Sequence, residues 1–451
     1  MPSPFRRLLG FRIATILAMD GVAALVAAGA ASYLVAAPAT FGIVALCGAL
    51  LLALLVLAGA YRLASLTTSG SIVFRLAAAV CIGGGAALGM AAGLLQPATT
   101  RAALAFAGCA ALLVPLLSLC YRALLVRPSF AELVLIIGSD KLATAVARNL
   151  ARAQSLGLRV AGHLSDDFEH EPSPQLGPRL GGTSDFEKVV RTFVVHRVVV
   201  SPATRETMDT DGLLGARLSG LSIDDASTWY EALCDRVWMG PTTPQLLLNG
   251  EGSDHGVPYR AAKRTLDVVL SGVGLVLSLP VLALIACAIK LDSKGPVLYR
   301  QTRLGVARRP FVLFKLRTMR QHAEEASGPA LAELADPRIT RVGWLLRKIR
   351  IDEIPQLWNV LRGDMSIVGP RPERPEFIDR LMEDLELFRF RTSVRPGLTG
   401  WAQVHQGYVN QWQDFERKLA YDLFYLKHRS FPMELRILRE TLVELVLLKG
   451  V

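Results

Sequence analysis

The sequence predicts a multi-domain membrane protein in three parts. An N-terminal bundle of four transmembrane helices precedes a central α/β Rossmann-like domain, and a mainly α C-terminal domain carries a re-entrant membrane helix and interfacial helices. Three observations predict this fold class. The hydrophobic residues, 51% of the chain, are concentrated before Arg127, strand and helix patterns alternate from residue 132, and a fifth apolar run with a central proline follows. The predicted domains span 1–127, 128–256 and 257–451.

The first part contains four apolar runs, each long enough to cross the roughly 30 Å hydrocarbon core of a bilayer. Arginines lie before the first run, beside the loop between the second and third, and after the fourth, whereas the loop "APAT" after the first run has no charge. By the positive-inside rule, both ends of this bundle are cytoplasmic. The four predicted spans are about 14–36, 42–65, 73–95 and 102–125.

The second part shows the order strand, helix, strand, helix, strand, which favours a doubly wound parallel sheet. Its first strand ends in the turn "GSDKLA", where a nucleotide-binding domain of this type has the pattern G-x-G-x-x-G. Only Gly138 of that pattern is present. We therefore expect a spacer or regulatory domain rather than a cofactor-binding one.

The fifth apolar run, 268–289, has positive charge on both sides. Lys263 precedes it, Lys290 follows it, and Pro280 lies near its middle, where it removes a helix hydrogen bond and kinks the chain. A helix over about 264–291 that enters the bilayer, bends and returns to the same face accounts for both features. The alternative is a kinked spanning helix, which would place the basic C-terminal domain on the far side of the membrane.

Composition narrows the function classes. The 451 residues carry a net charge of +11, largely from arginine. This balance is typical of proteins that meet anionic lipid headgroups, nucleic acid or phosphorylated substrates, and part of it follows from the positive-inside rule alone. The six cysteines have no paired spacing and the seven histidines no metal-ligand spacing, so the sequence indicates neither a disulfide framework nor a zinc site.

The stretch "RKIRIDEIPQLWNVLRGDMSIVGPRP" places an acidic pair among basic residues. Residues 341–350 have helical spacing, and Pro355 suits the first position of the next helix. Asp352 and Glu353 are therefore expected in the turn between two helices, where free backbone N–H groups attract anions. Taken alone, Asp352 is best interpreted as a helix cap.

The basic residues around this pair favour a catalytic interpretation. Guanidinium groups suit bidentate phosphate recognition, the prolines beside Arg371 fix its backbone, and Gly397 and Gly400 are expected to let backbone approach a ligand. Adjacent carboxylates can divide the work, because one can attack phosphorus, as aspartate does in transport ATPases, while the other holds Mg²⁺. The basic residues are Lys315, Arg317, Arg347, Arg350, Arg371 and Arg395.

Residues 260–451 resemble the catalytic domain of the bacterial sugar transferases, the monotopic phosphoglycosyl transferases, through "FVLFKLRTMR", the acidic-pair stretch and "SVRPGLTGWAQV". The resemblance implies transfer of a sugar 1-phosphate from a UDP-sugar, such as UDP-glucose or UDP-galactose, to undecaprenyl phosphate, with release of UMP and a covalent phosphosugar–aspartate intermediate. Four leading spans and a degenerate Rossmann-like, CoA-binding-like domain resemble the large members that start exopolysaccharide, O-antigen or capsule assembly. A multi-pass protein of the bacterial inner membrane, with its catalytic domain on the cytoplasmic face, is implied.

The resemblance also implies residue roles. Asp352 matches the nucleophile and Glu353 the glutamate associated with Mg²⁺. Arg347 matches a phosphate-binding arginine and Lys315 the active-site lysine, and both belong to the catalytic set. Substrate-binding positions match Arg317, Pro370, Arg371, Pro372, Arg395 and Gln403. Positions of the re-entrant helix match Lys263, Asp267, Ser278 and Pro280.

The chain departs from the family pattern in two places. Leu279 separates Ser278 from the helix-breaking Pro280, whereas family members often have serine directly before the proline. After "GWAQV" the chain continues with "HQGY" where small members often have Asn-Gly-Arg. A sugar or nucleotide contact of that arginine therefore does not carry over, and the sequence does not determine which sugar is transferred.

The implied partners are a UDP-sugar, undecaprenyl phosphate and the lipid bilayer; nucleic acid is not among them, and a homodimer is left open. Two other functions stay open as well. One is a membrane-anchored nucleotide-sugar oxidoreductase or epimerase, which needs an intact glycine fingerprint, and the other is a non-catalytic scaffold of a polysaccharide assembly complex. The C-terminal segment 418–451 mixes aromatic, basic and apolar residues at helical spacing, so its helices either lie in the membrane interface or pack an aromatic stripe into the core.

Overall fold

The computed structural model divides the chain into two compact units, Met1–Cys234 and Asp235–Val451. The structure describes residues 4–35, 41–57, 75–82, 85–86, 96–127, 130–167, 173–241, 243–248, 256–320, 338–406 and 412–446.

The first unit begins with long apolar helices. The segments Arg7–Leu34 and Pro97–Val126 are long and apolar enough to cross a membrane, and Val44–Val56 is a shorter apolar helix. Alanines line their contact, because Ala24, Ala27 and Ala31 are buried against the other helices and allow close approach. Residues 75–82 are also helical, but most of the predicted third span, 73–95, and the "APAT" loop lie outside the described residues. The helices of this part with defined bounds are α1 Pro4–Leu34, α2 Phe41–Leu57 and α3 Pro97–Val126.

A buried ion pair links two helical segments of this part. The guanidinium of Arg75 donates to Asp20 Oδ2 at 2.8 and 3.1 Å, and both side chains are fully buried. Charged groups that are removed from water need such pairing. Removing one partner of a buried ion pair typically destabilises the fold by about 3–5 kcal/mol, because the other charge is left buried and alone. The pair therefore fixes residues 75–82 against α1.

The rest of the first unit is a five-stranded, wholly parallel sheet with the strand order β3-β2-β1-β4-β5. The predicted alternation of strands and helices is present. Two short strands, Arg179–Gly181 and Ser222–Asp225, were not predicted, because three or four polar or glycine-containing residues give no apolar pattern. The strands are β1 Glu132–Ile137, β2 Leu158–Leu164, β3 Arg179–Gly181, β4 Arg197–Val200 and β5 Ser222–Asp225; the helices are α4 Lys141–Arg152, α5 Phe186–Thr192, α6 Pro202–Arg205, α7 Thr210–Leu218 and α8 Ala226–Cys234.

The Gly138 turn after β1 is filled by the chain's own side chains. Asp140 caps α4 by accepting from the Ala143 N–H at 2.7 Å, and the Ser201 hydroxyl donates to the same carboxylate. Gly138 has a φ of +116°, and a Cβ there would lie 2.7 Å from Thr204 Oγ1. A carboxylate thus holds the place at the helix N-terminus where a dinucleotide-binding turn receives a phosphate.

The second unit is mainly helical, with two small sheets. The residues just after Cys234 pack against this second unit. Trp401 Nε1 donates to the Asp235 carbonyl at 2.7 Å, and the Val237 N–H donates to the Ala420 carbonyl at 3.1 Å. The strands are β6 Leu298–Leu304, β7 Pro310–Leu316, β8 Ser366–Val368 and β9 Gly397–Thr399. The helices are α9 Thr243–Leu248, α10 Val257–Asp292, α11 Arg341–Lys348, α12 Gln356–Arg362, α13 Pro375–Asp384, α14 Trp401–Gln406, α15 Trp412–His428 and α16 Phe431–Val446.

The helix α10 continues through Pro280 without interruption, and it is long and apolar enough to cross a membrane. Val276, Leu277 and Leu284 on this helix are 66–74% exposed. Near both of its ends, α10 contacts the rest of the second unit. Asp267 accepts from the Ile367 N–H at 2.9 Å, and Asp292 accepts from the Val342 N–H at 3.1 Å. The helix therefore has an exposed apolar surface and is attached to the same folded unit near both ends.

The two C-terminal helices treat their apolar residues differently. Phe415, Leu423 and Tyr425 of α15 are buried in the main core of the unit, as an aromatic core stripe requires. On α16, Met433 and Ile437 face that core. Four other apolar residues of α16 are exposed at spacings that place them on one side of the helix: Phe431, Leu435, Leu442 and Leu445. The core interpretation therefore holds for α15, and α16 has in addition an exposed apolar stripe.

Candidate active site

The acidic pair lies in a short 3₁₀ turn, Ile351–Glu353, between α11 and α12. Thr340 starts α11 by accepting from the Gly343 N–H at 3.0 Å, and Pro355 immediately precedes α12. Arg350 connects α11 to the turn with a φ of +57°, a left-handed conformation that is strained for a residue with a side chain. The sequence prediction of a turn between two helices is correct, and the turn is reached through a backbone position that strongly favours glycine or asparagine.

Two cations hold one oxygen of Glu353. Lys315 Nζ lies 2.9 Å from Glu353 Oε1, and Arg371 donates to the same oxygen at 2.7 Å. Lys315 comes from β7, Arg371 from the loop after β8, and Glu353 from the turn before α12. Three separate parts of the chain therefore converge on a single carboxylate.

The two neighbouring carboxylates have opposite protonation behaviour. Burial, and after it the negative charge of Glu353, raise the pKa of Asp352 to about 6, against the opposing effects of Lys315, Arg371 and Arg347. Burial alone would also raise the pKa of Glu353, but the charges and hydrogen bonds of Arg371 and Lys315 outweigh it and hold that pKa well below its usual range. Glu353 is thus fixed as an anion, while Asp352 titrates just below neutral pH.

The site has more positive than negative charge. Asp352 is only 8% exposed, and Lys315, Arg371 and Arg347 all act electrostatically on it. Three cations around two carboxylates leave an excess of positive charge that can attract a further anion. Arg371 is partly exposed, so an anion from solvent can reach it. Burial lowers the pKa of Lys315, and the charge of Glu353 opposes this shift.

Glycines join the Arg371 loop to β9 by backbone contact. The Gly369 N–H donates to the Thr399 carbonyl and the Gly397 N–H to the Pro370 carbonyl, both at 2.9 Å. A Cβ on Gly397 would lie 2.1 Å from the Gly369 nitrogen, and one on Gly400 would lie 2.2 Å from the Gly369 oxygen. The close approach that we expected Gly397 and Gly400 to give a ligand is made by the chain itself.

The other predicted substrate-binding residues lie in different surroundings. Arg317 is buried and donates to the Ser293 carbonyl at 2.7 Å, so that it caps the C-terminal end of α10. Arg395 is exposed, and Gln403 is buried with its amide donating to the Leu398 carbonyl at 3.3 Å. Pro370 and Pro372 are buried on either side of Arg371. Of the predicted substrate-binding group, Arg371 is thus the member with a direct contact to the acidic pair.

The predicted residues of α10 anchor its entry end. Lys263 donates to the Val368 carbonyl at 3.1 Å and pairs with Glu434 at 2.6 Å, while Asp267 accepts from Ser366 and Ile367 of β8. Further along, the Ser278 hydroxyl donates to the Leu275 carbonyl at 3.0 Å, two residues before Pro280. Because Pro280 has no N–H, it frees the Val276 carbonyl, so the Ser278 contact is made to the adjacent Leu275 carbonyl rather than to the freed group.

Sequence reasoning missed two residues that build the site. Asn359 is fully buried and ties α12 to β7, since it accepts from the Phe314 N–H at 3.1 Å and donates to the Val312 carbonyl at 2.7 Å. Arg264 donates to the Val360 and Leu361 carbonyls at the end of α12, both at 2.7 Å. A polar residue among the apolar ones in "LWNVL" was the available signal for Asn359, whereas nothing local indicated the partner of Arg264.

The acidic pair provides a donor set that Mg²⁺ accepts. In the described residues there is no group of three or more His, Cys, Asp or Glu residues that could hold a metal ion. Mg²⁺ needs only one or two carboxylates when substrate phosphates and water complete its octahedron. Glu353 Oε1 already accepts from Lys315 and Arg371, so the second oxygen of Glu353 and the Asp352 carboxylate would be the acidic donors to such an ion.

Comparison with known proteins covers this same region. Residues 258–448 match the protein family described as bacterial sugar transferase. A UDP-glucose:undecaprenyl-phosphate glucose-1-phosphate transferase of Caulobacter vibrioides is 43% identical over 214 residues, which are 47% of this chain and 79% of the relative. A UDP-N-acetylgalactosamine-undecaprenyl-phosphate N-acetylgalactosaminephosphotransferase of Aeromonas hydrophila is 40% identical over 184 residues, which are 41% of this chain and 43% of the relative.

A third relative extends the similarity beyond that region. A UDP-glucose:undecaprenyl-phosphate glucose-1-phosphate transferase of Klebsiella pneumoniae is 30% identical over 291 residues, covering 63% of this chain and 61% of the relative. The matches thus cover between about two fifths and four fifths of these three relatives. Every residue of the acidic-pair site lies inside the family match. The chain belongs to the bacterial sugar transferase family.

Proposed function

We propose that this protein transfers a sugar 1-phosphate from a UDP-sugar to undecaprenyl phosphate and releases UMP. The observation that carries the proposal is the cluster in which Lys315 and Arg371 hold Glu353 ionised beside the buried Asp352. Such a cluster suits a diphosphate substrate, and it lies inside the match to the bacterial sugar transferase family, 258–448. The hexoses named for the relatives make glucose or N-acetylgalactosamine donors the first to test, and galactose is a further candidate.

The proposed reaction has two displacements at the same phosphorus. An oxygen of ionised Asp352 attacks the β-phosphorus of the UDP-sugar, the bond from that phosphorus to the bridging oxygen breaks, and UMP leaves with the electron pair. The phosphate oxygen of undecaprenyl phosphate then attacks the phosphosugar on Asp352, which releases the carboxylate and forms undecaprenyl-diphospho-sugar. Arg371, Lys315 and Arg347 supply positive charge where the phosphoryl oxygens gain negative charge.

The proposal includes Mg²⁺ held by Glu353, with Asp352 as the neighbouring acidic donor. When bound, the ion supplies charge neutralisation at the phosphates of the substrate. The residues of this chain have their own tasks: Lys315 and Arg371 keep Glu353 anionic, and burial keeps water away from Asp352.

Turnover with purified protein tests the function. Full-length protein in detergent or nanodiscs is mixed with undecaprenyl phosphate, Mg²⁺ and a panel of UDP-sugars, and UMP release is followed together with the lipid product. Wild-type protein should form both with at least one UDP-sugar, and Asp352→Asn should lose nearly all turnover. Asp379→Asn, on an exposed surface pair with Arg308, is the matched control and should keep it. UMP release by Asp352→Asn at the wild-type rate would remove the nucleophile assignment.

We further propose that α10 is re-entrant, which puts the active site at the cytoplasmic face of the inner membrane. Attachment of both helix ends to the same unit supports this, through Asp267 near one end and Asp292 at the other. Its exposed side is apolar, which suits immersion in lipid. The positive charge of the unit also favours the cytoplasmic side.

Cysteine labelling tests the re-entrant helix. In a variant without the native cysteines, single cysteines replace the exposed Val257 and Lys294 at the two ends of α10. A membrane-impermeant maleimide should label both in inverted vesicles and neither in intact spheroplasts. Labelling of the two positions from opposite faces would show a spanning helix.

A further inference from the structure

A buried ionic network lies behind the loop that carries Arg371. Arg391, in the 3₁₀ segment Glu386–Ser393, donates from Nε to Asp422 at 2.7 Å and from a terminal nitrogen to the Arg371 carbonyl at 3.0 Å. Its other terminal nitrogen lies 3.6 Å from Glu373, which also pairs with Lys418. None of the residues Glu373, Arg391, Lys418 and Asp422 was singled out by the sequence analysis.

The geometry of Arg391 is that of a rigid clamp. Its guanidinium carbon lies 4.5 Å from the ring centroid of Phe388, and the residue is only 5% exposed. Asp422, from α15, is almost completely buried and orients the guanidinium through its Nε. Because a guanidinium donates in fixed directions from a plane, the group that holds Asp422 cannot turn without releasing the Arg371 carbonyl.

The loop is held from its other side as well. Arg303 of β6 donates to the Pro372 carbonyl at 3.0 Å and is oriented by Gln301. Two neighbouring carbonyls, those of Arg371 and Pro372, are thus each bound by an arginine, so the backbone from which the Arg371 side chain reaches Glu353 is fixed.

Buried charges of this kind are not needed for packing alone. Apolar residues of similar volume in place of a buried ion pair are often neutral or stabilising. The network is centred on the backbone of the one loop residue that reaches the acidic pair, which points to a task at the site.

We propose that Arg391, oriented by Asp422, is a positioning residue for the transfer reaction, since it holds the Arg371 carbonyl and thereby fixes the Arg371–Glu353 ion pair at the diphosphate site. This proposal rests on the proposed function for its catalytic consequence, although the hold on the loop is independent of it. With a looser loop, Arg371 samples other rotamers, and both the charge and the distance at the phosphates become less favourable. Misplacement by about 1 Å can cost on the order of 100-fold in rate.

The variant Arg391→Lys tests the clamp with little risk to folding. Lysine keeps a positive charge beside Asp422 but cannot donate in two fixed directions at once. The matched control is Arg436→Lys, since Arg436 pairs with Asp235 at 2.9 Å and Glu440 at 3.2 Å, lies over the Trp401 ring, and belongs to α16 rather than to the network. We expect Arg391→Lys to lower kcat/KM about 10- to 100-fold while both variants unfold at similar temperatures.

A double-mutant cycle separates positioning from general stability. If Arg391 acts through Arg371, then Arg391→Lys should have almost no further effect on kcat/KM in an Arg371→Ala background. Full additivity of the two losses would contradict the proposal, as would a kcat/KM of Arg391→Lys equal to that of the wild type.

Hydrogen exchange gives a readout that does not depend on turnover. The peptide covering 369–377 should exchange faster in Arg391→Lys than in the wild type and at the wild-type rate in Arg436→Lys. Unchanged exchange in Arg391→Lys would overturn the proposed hold on the loop. If the wild type released no UMP from any UDP-sugar while the exchange result held, the proposed function would fail and the clamp would stand.

Discussion

At the scale of single residues, the structure gives two adjacent carboxylates different properties through a few contacts. Glu353 accepts two cations on one oxygen and stays ionised, whereas Asp352 is buried beside that negative charge and its pKa rises to about 6. A nucleophile with a pKa slightly below the working pH is ionised and yet more basic than an ordinary aspartate. The sequence analysis assigned the two residues different roles, but the difference between their pKa values comes from contacts that only the structure shows.

The pH dependence of turnover follows from the raised pKa of Asp352. Protonation below about pH 6 removes the attacking anion, so kcat/KM should fall about tenfold per pH unit there. In Lys315→Met, a cation that lowers the pKa of Asp352 is lost, so the midpoint of this acid limb should move to higher pH. The exposed Lys348 offers a control, since Lys348→Met should leave the midpoint in place. The midpoints are obtained from kcat/KM measured between about pH 5 and 8. A midpoint that moves to lower pH in Lys315→Met would contradict the assignment of this acid limb to Asp352.

The left-handed backbone of Arg350 predicts an unusual order of substitutions. Asparagine and glycine tolerate a φ of +57°, whereas valine is strained there by about 1–2 kcal/mol. All three replacements remove the same charge, so their differences report conformation. Thermal unfolding should rank Arg350→Gly and Arg350→Asn above Arg350→Val, and equal unfolding temperatures would show that the turn does not require this conformation.

Some residues of the site were beyond sequence reasoning. Asp352, Glu353, Lys315 and Arg371 stood out because charged residues cluster in motifs, and the structure brings them together. Arg391 was not predicted, because its partners lie 20 and 31 positions away and only the fold brings them near. Gly397 and Gly400 were recognised as close-approach positions, but their partner, the backbone of Gly369, was not.

At the scale of elements, one buried amide connects the two elements that carry the site. Asn359 bonds α12 to β7, and so brings the turn with Glu353 against the strand with Lys315. The contact explains how a helix of only seven residues keeps a fixed place on a two-stranded sheet.

The variant Asn359→Leu should destabilise the catalytic unit. It removes the partner of the Val312 carbonyl and of the Phe314 N–H, two partly buried hydrogen bonds that each contribute about 1 kcal/mol. Thermal unfolding in detergent measures the loss, and kcat/KM should fall with it as Lys315 and Glu353 separate. Asp379→Asn on the exposed surface pair is the control expected to change neither. An unchanged unfolding temperature for Asn359→Leu would contradict the proposed connection.

Elements with a strong period were predictable, and short or polar ones were not. The helices around the acidic pair, the apolar helix α10 and the strands β1, β2 and β4 of the parallel sheet agree with their patterns. The strands β3 and β5 were missed because hydrogen bonding to neighbours defines them rather than an apolar run. For the C-terminal helices two interpretations fitted one pattern, and only packing showed that α15 is a core helix and α16 carries an exposed stripe.

At the scale of the whole molecule, the candidate active site lies entirely in the second unit. All residues of the acidic-pair site lie between Asp235 and Val451, and the match to the Caulobacter vibrioides relative spans 79% of that protein but 47% of this chain. The parallel-sheet domain of the first unit holds a carboxylate at the turn where a dinucleotide-binding domain receives phosphate. These features agree with a spacer or regulatory role for that domain, which stays a prediction.

A shortened chain tests this division of labour. Protein that begins at Asp235 should keep transferase activity in nanodiscs, because its core and its site are complete. Protein that begins at Gly256 lacks two contributions to this core, the Asp235 carbonyl that accepts from Trp401 and the buried side chain of Val237. It should therefore unfold at a lower temperature than the longer piece. Loss of all activity in the longer of the two pieces, with folding intact, would show that the first unit contributes to the reaction.

The most direct test of the central claim is the capture of the sugar phosphate on Asp352. Full-length protein is mixed with a UDP-sugar that it turns over and Mg²⁺, without undecaprenyl phosphate, quenched in acid within milliseconds to seconds, digested with pepsin and analysed by mass spectrometry. The account predicts one hexose phosphate on the peptide containing Asp352, formed together with one equivalent of UMP and lost when undecaprenyl phosphate is added. UMP release only in the presence of undecaprenyl phosphate, with no modified peptide at any time, would contradict a covalent aspartate intermediate.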